Sequence, residues 1–216
     1  KNIYVMSPEL IKDHFMRKDG QFAFARWGRP IATVGFGIED NSLLVLKEAV
    51  EVVLGLANHG MTDTDPEIGS NLMFFFFKEW QELRAVPNLD QIIPDRDTLT
   101  YTLENKKANQ YRLFRFDNQG GIKACFVFLQ MDENLNAVPA STLCLSQVVQ
   151  SILLWSDRAF QSQSPLAVLD NGQTILRPEV ADLIKAAYAP ELPAHSDDVS
   201  HVLRLFARMN KQRAVL

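Results

Sequence analysis

Ser146, Gln147 and Gln150 fall in one run, STLCLSQVVQSILLWSD, over residues 141–157. The run predicts a single amphipathic helix. Ser146 and Gln150 are four apart, so they share a helix face, with Gln147 beside them. Zinc peptidases place two ligands and a general base at this spacing in H-E-x-x-H. Here the slots hold Ser, Gln and Gln, and none of these side chains is a good zinc ligand. The spacing for metal-assisted hydrolysis is present without the ligating chemistry. Asp157 closes the run, and as a helix-end residue it is expected to bond backbone rather than to act on a substrate.

Other chemistries find less support. The histidines are His14, His59, His195 and His201, and no two stand at helical ligand spacing. His14 reads as a surface or core-edge residue, and His59 as a helix-end residue favoured by the dipole. A serine nucleophile needs a base and an oxyanion hole, and there is no G-x-S-x-G elbow. Ser146 with Asp157 and His195 or His201 is a trio that any chain of this length offers. Cys144, near a helix start, would be a nucleophile only if burial did not raise its pKa. Asp63, Asp65 and Glu67 resemble the opening of a calcium loop, but Pro66, Glu67 and Ile68 break its pattern. Gly35 and Gly37 lack the third glycine of a dinucleotide loop, since position 40 is Asp. No metal or cofactor is expected.

The elements that must position these residues are legible in part. Ser7 and Pro8 predict a short helix over 8–17, capped by the serine. A strand is expected over 31–38. Residues 41–58 carry apolar side chains at a 3.6 period and predict a long helix that Gly60 can end. The run NLMFFFF predicts a buried strand over 71–77, covered on both faces, with a helix from Lys78. Strands over 111–116 and 122–131 are joined by a turn at Asn118, Gly120 and Gly121. On the first of them Tyr111, Leu113 and Arg115 take one face, while Arg112, Phe114 and Phe116 take the other. Pro178 opens a further helix that Pro190 stops, and Ser196 is expected to cap the last one. Val199, Val202, Leu203, Phe206 and Met209 make its apolar stripe.

The 216 residues suit a single domain, with helices at 1–20 as an N-terminal extension and at 178–210 closing the chain. With 47% hydrophobic residues a full core can be buried. A net charge of −4 with scattered Lys and Arg argues against a nucleic-acid surface. No apolar run reaches the roughly 18 residues of a membrane span. The fold class is α+β, a small mixed sheet packed against long helices.

The order RWGRPIATVGFGI, helix, NLMFFF strand, hairpin, helix, then LDNG, LRPE and AYAPEL resembles a family of uncharacterised proteobacterial exported proteins, some described as lipoproteins. The resemblance spans about 24–192 and implies a zincin-like fold. In that family the matching helix often carries a glutamate pair or His-Glu. Cys144, Gln150, Leu154 and Asp157 stand where the family has Cys, Gln, Leu and Asp. Ser146 and Gln147 replace the acidic or His-Glu pair, and Leu153 replaces a glycine. The resemblance therefore implies a non-catalytic binding or scaffold protein with an unknown protein or small-molecule ligand. A hydrolase with an unrecognised site is the alternative. It also implies a periplasmic or otherwise exported location, which suits a chain that begins at Lys1 without Met. In an exported protein Cys125 and Cys144 have two readings, a disulfide joining the hairpin to the 141–157 helix, or two buried thiols.

Overall fold

A computed structural model describes residues 6–215; the first five residues of the expected N-terminal extension lie outside this range. The elements in chain order are α1 (Pro8–Asp13), β1 (Phe24–Ala25), β2 (Thr33–Phe36), α2 (Asp40–Ala57), β3 (Leu72–Phe77), α3 (Arg96–Asn105), β4 (Gln110–Phe116), β5 (Ile122–Gln130), α4 (Glu133–Asn136), α5 (Ala140–Ser151), β6 (Leu166–Val168), β7 (Thr174–Leu176), α6 (Pro178–Ala187), β8 (His195–Ser196) and α7 (His201–Ala214). Two short 3-10 helices, Trp80–Ala85 and Leu89–Gln91, lie between β3 and α3. No helix among the described residues is long and apolar enough to cross a membrane.

The fold is α+β, built on a four-stranded sheet of order β2-β3-β5-β4. β2, β3 and β5 run parallel, and β4 returns antiparallel along β5. The four consecutive phenylalanines split by strand alternation. Phe74 and Phe76 join Val127 and Leu129 in a core shared with α2, α5 and α6. Phe75 and Phe77 join Phe126 and Phe128 in a second core, with Trp80, Leu83 and Leu103. Phe36, Phe75, Phe128 and Tyr111 are register partners in turn. Their rings stack across all four strands with centroids 4.9, 5.0 and 6.1 Å apart.

Several boundaries differ from the sequence reading. α2 ends at Asn58, which takes the left-handed conformation at φ 52, rather than at Gly60. Trp80–Ala85 is a 3-10 helix, and α3, which the sequence reading left unassigned, begins with the Asp95 side chain accepting from the Thr98 N–H at 3.0 Å. α7 starts at His201 with Ser200 as its cap, not at Ser196. Its buried face is His201, Val202, Leu205 and Met209. Val199 and Leu203 of the expected stripe are exposed.

The main correction concerns α5. The helix stops at Ser151 instead of running to Asp157. A helix end leaves four carbonyls without intrahelical donors, and three aromatic side chains serve them here. Trp155 Nε1 donates to the Val149 carbonyl at 2.8 Å, Trp27 Nε1 to Ser151 at 2.9 Å and the Tyr188 hydroxyl to Ile152 at 2.6 Å. Leu154 then donates its N–H to the Ala25 carbonyl at 2.9 Å. The apolar period continues past Ser151, but these distant donors take over the backbone.

α7 buries one polar group at a cost. His201 is 1% exposed, its ring lies 4.3 Å from that of Phe24, and neither ring nitrogen has a partner among the described residues. Burial, with Arg204 and Arg26 nearby, pushes its pKa down to about 4. The folded state therefore resists a proton that the unfolded chain accepts near pH 6.5. This contribution is fully present above about pH 6.5 and is lost as pH falls toward 4. Urea midpoints of wild type and His201→Leu, taken at pH 7 and pH 4.5, should show a smaller acid loss in the variant. Equal losses would remove His201 from the acid response.

Candidate functional site

α5 lies against the sheet face that carries β4's Gln110, Arg112 and Phe114, the register partners of β5's Leu129, Val127 and Cys125. The polar row sits here, divided between two tasks. Gln147 is 3% exposed. Its Nε2 donates to Gln110 Oε1 at 3.1 Å, and its Oε1 accepts from Arg112 Nη2. Arg112 Nε donates to Ser151 Oγ at 3.1 Å, and Ser151 Oγ donates to the Gln147 carbonyl at 2.8 Å. Gln147 thus fastens the helix to the strand. Ser146 and Gln150 remain half-buried on the outer side, where Gln150 Nε2 donates to Ser146 Oγ at 3.1 Å.

Two cavities of about 590 and 420 Å³ meet over this face. They share Gln110, Gln150, Phe160 and Gln161 and so form one groove. α5 supplies the floor, and the 157–165 segment lies across it. Gln110, Tyr111 and Arg112 all line the larger cavity. Consecutive residues of one strand point to opposite faces, so the cavity runs along the strand's edge. That edge is free. Gln130 donates to the Asn109 carbonyl, which makes 109 and 130 a hydrogen-bonded pair. Alternation then turns the main-chain groups of Gln110, Arg112 and Phe114 away from β5. None of these three N–H groups has a backbone partner among the described residues.

Phe160 borders both halves of the groove and a third cavity of about 520 Å³ beside His14, Arg177 and Glu179. Its φ is 61, a left-handed conformation that is rare for a bulky side chain. His14 there bonds the Leu10 carbonyl through Nδ1 at 2.7 Å, and burial lowers its pKa.

Asp157 lies outside α5, and its carboxylate accepts from the Lys18 N–H at 3.0 Å and from Ser156 Oγ at 3.3 Å. It anchors backbone, though not at a helix end. The trio of Ser146, Asp157 and a histidine is not assembled. His195 sits on β8, His201 lies under Phe24, and neither lines the groove. His59 bonds the Arg29 carbonyl at 2.7 Å. Among the described residues no group of three His, Cys, Asp or Glu side chains could hold a metal. In the acidic loop, Asp65 is spent on the Glu67 and Ile68 N–H groups, the Asn71 amide and Arg29. Burial opposes its ionisation, but these donors together hold its pKa below the usual carboxylate value.

Gln110, Arg112 and Ser151 were missed as site residues by sequence reasoning. The available signal was Arg112 alternating with Phe114 on a strand face that must meet a helix. Comparison with family models, curated proteins and solved structures returns no match.

Cys125 and Cys144 form no disulfide; both are free and buried. Cys125 faces into the sheet–helix core from β5, while Cys144 lies on α5. Burial pushes Cys125 up to about 12, although Arg112 and a hydrogen bond with Ser151 pull it back, and pushes Cys144 up to about 11. Neither is a ready nucleophile at neutral pH. A thiol reagent should label neither cysteine quickly in the folded protein and both after denaturation without reductant. Fewer than two thiols on denaturation would restore the disulfide.

Proposed function

We propose that this chain is a non-catalytic, exported binding protein on a peptidase-like frame, and that it holds an extended peptide in the groove between β4 and α5. One observation carries the reading: the unpaired edge of β4 runs along the groove. A peptide laid there would gain main-chain hydrogen bonds from Gln110, Arg112 and Phe114. Ser146 and Gln150 then offer neutral donors and acceptors to its side chains. The zincin-like part of the proposal rests on the resemblance, on the placing of α5 soon after β5, and on the i, i+4 polar pair turned toward a groove beside an antiparallel edge strand. The exported location rests on the resemblance alone.

Hydrogen exchange tests the reading. A heptapeptide recovered from a randomised library should slow exchange of the amides of Gln110, Arg112 and Phe114, while the amides of β5 stay as they were. Protection elsewhere would move the site. Stoichiometric zinc by elemental analysis, or peptide turnover lost in Ser146→Ala or Gln150→Leu, would replace the binding protein with a hydrolase.

A further inference from the structure

We infer that the groove selects a peptide bearing a carboxylate, and that Arg112 is the residue that reads it. This rests on the groove being a peptide site. Arg112 carries a charge to the interface of β4 and α5, where burial lowers its pKa. Its hydrogen-bond partners, Gln147 and Ser151, are both neutral. No carboxylate stands within ion-pair distance of it among the described residues; the pairs formed involve Arg29, Arg84, Lys123, Arg177, Arg208 and Arg213. Arg112 is half-buried with Nη1 open to the groove, and an anion that arrives there recovers part of the cost of its partial desolvation.

Two other arginines show the difference. Arg26 places Nη1 and Nη2 on the Ala189 and Leu192 carbonyls, and Arg115 places both on the Phe114 and Ile92 carbonyls. Each has both terminal nitrogens occupied. Arg112 uses Nε and Nη2 only, and its Nη1 has no partner among the described residues. Arg112 also lines the groove. Arg17 adds a second guanidinium to the same cavity, with one long contact to the Trp155 carbonyl at 3.4 Å and no ion pair among the described residues. The carboxylate of that cavity, Asp157, is engaged by Lys18 and Ser156. The charge left over is positive and lies beside the unpaired strand edge. A carboxylate, the anion a peptide carries, fits the guanidinium fork.

The test uses two randomised N-acetylated heptapeptide libraries, one with C-terminal amides and one with free C-terminal carboxylates. Wild type should enrich Asp or Glu in the first library if the carboxylate is a side chain, or bind only the second if it is the chain end. Converting that carboxylate to an amide should weaken binding about ten- to a hundredfold in wild type. In Arg112→Gln the same change should cost less than about twofold. Thermal melts check that the variant folds; if it does not, Arg17→Gln should blunt the same discrimination. Binders with no carboxylate preference would overturn the inference and leave the peptide groove standing. Discrimination that persists in Arg112→Gln would overturn the role of Arg112. An absence of binders from both libraries would sink the peptide groove and this inference with it.

Discussion

Four stacked aromatic rings, one from each strand, hold the sheet in a single register, and the site depends on that register. A slip of one residue would send every side chain of β4 to the opposite face. Arg112 would then face Trp80 and Leu83, and Gln147 would lose both of its partners on the strand. The rings of Phe36, Phe75, Phe128 and Tyr111 are on the far face from α5. The apolar side of the sheet thereby fixes what the polar side presents. Each pair adds about 0.5–1.5 kcal/mol beyond its burial, and the three pairs act in one line across the sheet.

The polar contacts of α5 are divided by position around the helix. Gln147, one residue from Ser146 and three from Gln150, is turned inward and bridges to β4. Ser146 and Gln150 are turned toward the groove and bond to each other. An interior amide that holds two strand residues fixes geometry: its neutral bond to Gln110 nets about 1 kcal/mol and its bond to the Arg112 guanidinium about 1.5–3 kcal/mol. It fixes the distance between floor and edge, and any ligand must fit the space that remains.

The strands of the four-stranded sheet were legible in the sequence because alternation and turn residues are local, whereas the short β1 and β8 were not. The run at 71–77 gave β3, and Asn118 with the two glycines gave the β4–β5 hairpin. The helix over 41–58 was legible for the same reason, its long 3.6 period. The end of α5 was not, because the donors that serve its last carbonyls come from Trp27 and Tyr188, far away in the chain. That Asp157 bonds backbone was legible, but not that the backbone is that of Lys18, far away in the chain. For the site, the sequence singled out Ser146, Gln147 and Gln150, and the structure turns Ser146 and Gln150 to the groove floor and Gln147 inward to β4. It gave no sign of the free edge of β4 or of the missing counter-charge at Arg112, because both depend on which groups stay apart.

The seam between the start of the chain and the exit of α5 carries a further consequence. Lys18 meets Asp157, and Ser156 meets Met16, across 139 and 140 residues of chain. Leu154 and Leu153 meet Ala25 and Arg26 in the same way. Contacts of such separation must meet the loop-closure entropy before they return any energy. The β4–β5 hairpin can close locally, but the segment over the groove is set only when the first residues of the chain come back to it. The completed groove therefore requires that the segments around 16–26 and 153–157 have met.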